Sequence, residues 1–316
     1  MGNNIRIGVS TCLLGEVVRY DGADAMDPYV SSVLGQFVEL VPVCPEVEAG
    51  FGIPREPVQL EGDADSPHMV TVNTGKDLTS KMLSWTRRRV RELEKEGLWG
   101  FIFKSKSPSC GIERVKVYTE RQTPVKKGRG LFARAFMEHF PLIPVEEESR
   151  LHDLRIRENF IERIFTLERW RRTVAKRKSL GSLIEFHTAQ ELLILSHSLP
   201  LYREIGKLVA AARGRKLSEL YAGYQELLVK ALRMNTTTRK HLNVLQHVLS
   251  KFKKKLTTEE KQELLETIEK YRKGDVPLLV PVTLLNHYTR KYEQSHLYRQ
   301  LYLNPHPVEL KLRNHA

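Results

Sequence analysis

Three short apolar runs constrain this chain most, because each has the length of a buried strand and each is followed by a cysteine. Ile5-Arg6-Ile7-Gly8-Val9-Ser10 leads to Cys12, Phe37-Val38-Glu39-Leu40-Val41-Pro42-Val43 ends at Cys44, and Leu98-Trp99-Gly100-Phe101-Ile102-Phe103 runs through Lys104-Ser105-Lys106-Ser107-Pro108-Ser109 to Cys110. Runs of four to eight such residues bounded by Gly, Pro and Ser read as strands. The chain has 3 cysteines, so every one of them lies just beyond a predicted strand.

Helical patterns separate the strands. A short helix is expected around Pro28 to Phe37, and another over Gly128 to Phe140. The clearest runs from Lys76 to Glu96, with Leu78, Met82, Trp85, Arg89 and Leu93 near helical spacing and Gly97 as its stop. Gly50-Phe51-Gly52-Ile53-Pro54-Arg55 reads as a loop, and Leu142-Ile143-Pro144-Val145 as a last short strand before Glu146-Glu147-Glu148. Strands alternating with helices predict an α/β domain with a mostly parallel sheet over residues 1–149. Ligands of such sheets sit outside the carboxyl ends of the strands, where all three cysteines are expected. Separations of 32 and 66 residues match no compact zinc or ferredoxin motif, so the fold must bring the thiols together. Packing alone accounts for any one buried cysteine; three at strand ends favour a shared site.

With 41% apolar residues among 316, the chain can build ordinary cores. No apolar run reaches membrane-spanning length, and Met1-Gly2-Asn3-Asn4-Ile5-Arg6 lacks the order of a signal peptide, so a cytoplasmic protein with no membrane partner is expected. A reducing compartment keeps three cysteines as thiols, suited to metal binding or catalysis rather than to a disulfide framework.

Charge divides the chain. Residues 1–149 carry 19 Lys and Arg against 21 Asp and Glu, whereas residues 150–316 carry 32 against 17, a net charge of +15. That asymmetry suits a catalytic domain joined to one that holds a polyanion. From Arg150 onward the pattern is all-helical, with helices expected at about 182–196, 201–212, 217–233, 237–255, 258–273 and 281–303. Arg169 to Lys178, Arg213-Gly214-Arg215-Lys216 and Lys251-Phe252-Lys253-Lys254-Lys255 are candidate phosphate contacts. Tyr221, Tyr224, Tyr271, Tyr288, Tyr292, Tyr298 and Tyr302 are read mostly as packing residues. His187 and His197, or His241 and His247, lack the i, i+3 or i+4 spacing of a metal pair on one helix, so no ligand role is read for them.

Thr11-Cys12-Leu13-Leu14-Gly15, Cys44-Pro45-Glu46 and Ser107-Pro108-Ser109-Cys110-Gly111, in that order within an α/β pattern, resemble the thiouracil desulfidase family over about residues 5–147. The second half is similar to the helical YbgA-like domain, and the fused arrangement resembles bacterial tRNA 4-thiouridine desulfidases. The resemblance implies that Cys12, Cys44 and Cys110 hold a 4Fe-4S cluster with one iron free of protein ligands. It also implies a catalytic pair, Glu46 to activate water and Ser109 to donate to the heterocycle or relay a proton. Lys104, Ser105, Ser107 and Asp21 are weaker candidates for substrate contacts. Thiolates are soft ligands, and an open iron suits a thiocarbonyl sulfur.

The expected reaction is hydrolytic removal of sulfur from 4-thiouridine in tRNA, giving uridine and sulfide without flavin or nicotinamide. In agreement, Gly50-Phe51-Gly52 lacks the remainder of a dinucleotide fingerprint. The thiolated uracil base would leave the stack to reach the cluster, while the basic domain holds the tRNA. Two other readings use the same residues: a non-enzymatic nucleic-acid-binding or repair-accessory protein with structural or zinc-binding cysteines, and a desulfidase for the free thiouracil base.

Overall fold

The structure is a computed structural model that describes residues 5–119, 123–176, 178–252, 255–307, 310 and 312–314. It divides into two compact units, Met1–Asp153 and Leu154–Ala316.

In the first unit, β1 (Arg6–Ser10), β2 (Glu39–Val43), β5 (Gly100–Phe103) and β8 (Val145–Glu147) form a sheet in the order β2-β1-β5-β8. Every pairing in it is parallel. The chain steps from β1 to β2 on one side and then reaches β5 on the other, so the sheet has a topological switch point between β1 and β5. Loops leaving two such strands diverge and open a crevice. A second sheet, in the order β4-β3-β6-β7, comprises β3 (Val58–Asp63), β4 (Ser66–Thr71), β6 (Val115–Tyr118) and β7 (Pro124–Gly128). Its β3–β6 pair is parallel and its outer pairs are antiparallel.

Helices α1 (Pro45–Glu48), α2 (Thr79–Glu96) and α3 (Leu131–His139) complete this unit. Trp85 on α2 and Phe132 and Phe136 on α3 pack with Phe101 and Phe103 of β5, whose adjacent rings stack at 4.1 Å. The core therefore lies directly behind the strand that delivers Cys110. Gly97 closes α2 in the left-handed conformation, the C-terminal role for which glycine is favoured.

Several sequence expectations shift. The predicted helix at 28–37 is a π-helical turn over Tyr29–Val33 followed by a 3-10 turn over Leu34–Gln36. The expected helix from Gly128 begins at Leu131, because Pro124–Gly128 pairs as a strand, and the last strand starts at Val145 rather than Leu142. The second sheet was not anticipated: β7, Pro-Val-Lys-Lys-Gly, has no apolar alternation for periodicity to detect.

The described residues of the second unit are mostly helical, in α4 (Leu154–Lys176), α5 (Leu180–His197), α6 (Leu199–Ala210), α7 (Leu217–Leu232), α8 (Thr238–Lys251), α9 (Thr258–Lys273), α10 (Leu279–Lys291) and α11 (Ser295–Tyr298). Ser179, Ser198, Thr237 and Thr257 cap helices with their side chains, and Thr257 forms a full capping box with Glu260. The long helix expected over 281–303 breaks after Lys291, where Glu293 takes a positive φ of 48°. Tyr221, Tyr224, Tyr271, Tyr288 and Tyr302 are buried, in keeping with a packing role, whereas Tyr298 is exposed. No helix among the described residues is long and apolar enough to cross a membrane.

Candidate active site

Parallel pairing sets Ser10 opposite Val43, so the loops bearing Cys12 and Cys44 leave neighbouring strands at the same level. Cys12 lies in a 3-10 turn over Thr11–Leu14 that begins directly after β1. Cys44 is the N-cap of α1, where Pro45 occupies the first turn with its φ already set for a helix. The Glu48 carboxylate accepts from the Cys44 backbone N–H at 2.8 Å and pairs with Arg89 of α2 at 3.1 Å, fixing the start of that turn.

The loop to Cys110 is held from both sides. The Ser107 hydroxyl accepts from the N–H groups of Ser109 and Cys110 at 3.2 and 3.1 Å. Behind it, α3 spends its first free N–H groups on the loop: Leu131 donates to the Pro108 carbonyl and Phe132 to that of Ser109, both at 3.1 Å. These donors would otherwise be unsatisfied at a helix start. Gly130 makes the approach feasible, because a Cβ there would lie 2.5 Å from the Ser109 carbonyl.

All three cysteines line one cavity of about 340 Å³ at the carboxyl edge of the parallel sheet. Glu46, Arg55, Lys104, Ser105, Ser107, Arg19 and Tyr20 also contribute to its wall. Burial pushes the Cys12 thiol up to about 11, raises that of Cys44, and lifts that of Cys110 well above its ordinary value. Neighbouring thiols add to the effect at Cys12 and Cys110, since thiolates at this separation repel. Without a metal the three are therefore neutral thiols at neutral pH, and a bound metal group would have to displace their protons. Among the described residues the three sulfurs are not gathered within 4.8 Å of one another. A single tetrahedral zinc ion would hold them about 3.8 Å apart. Three thiols on one cavity wall are soft donors, the kind that suit a thiophilic metal group.

Glu46 is engaged at both oxygens. The Ser109 hydroxyl donates to Oε1 at 2.8 Å, and the Arg55 guanidinium binds Oε2 through Nε at 3.0 Å and through a second nitrogen. Arg55 is anchored in turn by the carbonyls of Val18 and Gly52, each at 2.9 Å. The structure thus brings Glu46 and Ser109 together, with Ser109 fully buried behind the carboxylate and Glu46 on the cavity wall.

The weaker candidates divide. Lys104 pairs with Glu148, whose carboxylate also accepts from the Ser105 N–H and hydroxyl at 2.7 Å, and both residues face the cavity. Ser107 mainly shapes the loop, while Asp21 lies outside the wall and binds Arg19 at 3.2 and 3.1 Å. Sequence reasoning missed Arg55 and Glu148. The first sits in a segment read only as a loop, and the second in an acidic run read only as following a strand. Ile-Pro-Arg directly after Gly-Phe-Gly was the one available sign of an anchored cation.

Of the basic runs, Lys176, Lys178, Arg213, Arg215, Lys216, Lys251 and Lys255 are exposed. Arg177, Lys253 and Lys254 lie outside the described residues. Arg169 departs from the expected solvent-facing role: it is turned inward, donates to the Pro305 carbonyl, and burial draws its pKa down to about 10.

Comparison with known proteins bears on both units. Residues 7–148 match the family model described as 2-thiouracil desulfurase, and residues 191–307 match one described as a protein of unknown function, DUF1722. The uncharacterized protein YbgA of Escherichia coli is 32% identical over 161 residues, 51% of this chain and 95% of its own length. The uncharacterized protein YbbK of Bacillus subtilis is 28% identical over 108 residues, 33% of this chain and 71% of its own. A solved structure titled a [4Fe-4S]-dependent thiouracil desulfidase, TudS, is 28% identical, covering 48% of this chain and 95% of that one, with a TM-score of 0.39.

Proposed function

This chain belongs to the family of YbgA, with a 2-thiouracil desulfurase domain ahead of its helical unit, and from that premise we propose that it removes sulfur from 4-thiouridine in tRNA. The observation that carries the reading is the single cavity in which three strand-end thiols surround a carboxylate gripped by serine and arginine. Cys12, Cys44 and Cys110 are the ligands of a 4Fe-4S cluster, which supplies, when bound, a soft Lewis acid for a thiocarbonyl sulfur.

The chain's own groups do the rest. Glu46 is the base that takes a proton from water, since it is the carboxylate on the cavity wall beside Cys44. Ser109 and Arg55 fix its orientation from behind, and the Ser109 hydroxyl offers a path by which that proton moves on. Water attacks the carbon that bears sulfur; the carbon–sulfur bond breaks, leaving a carbonyl and hydrosulfide. Lys104 and Ser105, tied to Glu148, present polar contacts to the base. A stacked nucleotide cannot enter a cavity of this size with its neighbours, so the thiolated base is extruded. The helical unit, with its net charge of +15 over residues 150–316, holds the phosphates.

Anaerobically reconstituted protein, assayed for sulfide release from thiolated tRNA with iron content and absorption spectrum recorded on the same sample, tests the reading. Brown protein that converts 4-thiouridine to uridine supports it. Activity confined to the free base removes tRNA from the proposal, and colourless, inactive protein after reconstitution removes the cluster.

A further inference from the structure

Tyr221, Tyr224, Tyr271, Tyr288 and Tyr302 of the second unit are at most 6% exposed, yet Tyr298 is 70% exposed, more than any other large apolar side chain among the described residues. Frayed backbone does not account for it. Leu297 and Gln300, on either side, are 2% and 1% exposed. The Gln300 side chain donates to the Thr188 carbonyl at 2.7 Å, the Leu301 N–H to that of Ala189 at 2.9 Å, and the Tyr298 N–H to that of Gln294 at 2.9 Å. A ring carried on so fixed a backbone forgoes the burial that an aromatic side chain ordinarily gains.

Tyr298 shares a cavity of about 340 Å³ with Asn286, Arg290 and Asn304. Asn286 and Arg290 are four residues apart on α10, hence on one face of it. The break after Lys291 turns the chain back, so that Tyr298 of α11 and Asn304 beyond it reach the same cavity. No carboxylate lines it, and Arg290 has no ion-pair partner among the described residues: its Nε only approaches the Asn286 carbonyl of its own helix, at 3.4 Å. One contact orients both amides. Asn286 Nδ2 is 3.3 Å from the Leu303 carbonyl, which only accepts, and 3.4 Å from Asn304, which must therefore offer its oxygen. Asn286 Oδ1 is left as an acceptor and Asn304 Nδ2 as a donor, each without a protein partner among the described residues.

We propose that this cavity binds one unpaired nucleotide of an RNA strand, its base stacked on Tyr298 and its phosphate on Arg290. The inference rests on the reading that this unit holds tRNA, and adds to it a site that recognises single-stranded RNA. Stacking on an aromatic ring needs an open base face, which a paired duplex hides except at its ends. Each of the four bases has a donor beside an acceptor on its pairing edge, so the free amide acceptor and donor suit an unpaired base without choosing among the four. A cation with no carboxylate beside it favours a ligand that carries phosphate over a neutral sugar.

The test measures, by fluorescence anisotropy, binding of the full-length protein to a labelled mixed-sequence RNA of about 12 nucleotides, single-stranded or annealed to its complement. Binding needs neither cluster nor turnover, so the outcome does not depend on the desulfidase chemistry. Tyr298→Ala is expected to weaken single-stranded binding about tenfold or more and to leave duplex binding unchanged, whereas Tyr298→Phe, which keeps the ring, binds like the parent. Arg290→Gln is expected to lower the log–log salt slope for the single strand by about 0.7. A Tyr298→Ala chain that binds the single strand as the parent does overturns the site and leaves the tRNA reading standing; equal losses on single strand and duplex overturn base stacking. A folded parent chain that binds neither RNA overturns the site and the tRNA reading together. Uridine monophosphate that binds alone with the affinity of the oligonucleotide, and loses it in Tyr298→Ala, assigns the cavity to a free nucleotide and overturns the RNA strand as its ligand.

Discussion

Glu46 shows how neighbours hold a carboxylate in one orientation. Its carboxylate is mostly enclosed, with 14% of the side chain exposed, and so is the guanidinium of Arg55, with 6%. Changing Glu46→Gln removes the proposed base but keeps the shape, so iron content is expected to hold while sulfide release falls about 10²- to 10⁴-fold. Arg55→Lys keeps the charge but gives up the two-pronged grip and the carbonyl anchors; turnover is expected to fall with the cluster spectrum unchanged, as measured on reconstituted protein. The thiols give a pH prediction of definite sign. Burial raises all three above their ordinary value, so thiolate, the form that reacts, is scarce at pH 7 and increases with pH. Alkylation of cluster-free Cys12 is expected to accelerate about tenfold per pH unit until pH nears 11, read by mass spectrometry of the modified peptide. A rate independent of pH between about 7 and 9 would contradict the burial.

At the scale of elements, the site depends on strand ends and on what pins the loops beyond them. β1 and β5 flank the switch point, and α3 reaches across to the Cys110 loop through the N–H groups of Leu131 and Phe132. Gly130→Ala drives a methyl group into the Ser109 backbone, which cannot yield as a side-chain end would. The substitution is expected to destabilise the first unit by roughly 1–3 kcal/mol and to impair cluster loading, measured by thermal melting and iron content. The alternation of strands and helices made the parallel sheet legible in the sequence, because apolar runs and 3.6-residue periodicity are local signals. The second sheet was not legible, since strands such as Pro124–Gly128 gain their conformation from a partner rather than from their own pattern.

Across the whole molecule, chemistry and charge are assigned to different units. Neutralising Arg213, Arg215, Lys251 and Lys255, all exposed, is expected to weaken tRNA binding and to flatten its salt dependence, while turnover of a free thiolated base changes little. The log–log slope should fall by about one for each phosphate that is no longer neutralised. Filter binding across a salt series reads this directly, and an unchanged slope would reject those residues as phosphate contacts. The two-part organisation, the three strand-end cysteines, the Cys-Pro-Glu turn and the charge asymmetry could all be read from the amino-acid order, because each is written in residues that are neighbours in the chain or in bulk composition. It took the folded chain to show that Arg55 grips Glu46, that Glu148 gathers Lys104 and Ser105, that Arg169 turns inward, and that His197 meets Glu162 from another helix. The physical reason is separation: these partners lie 9 to 136 residues apart, and no local periodicity records a pairing that only the packing of distant segments creates.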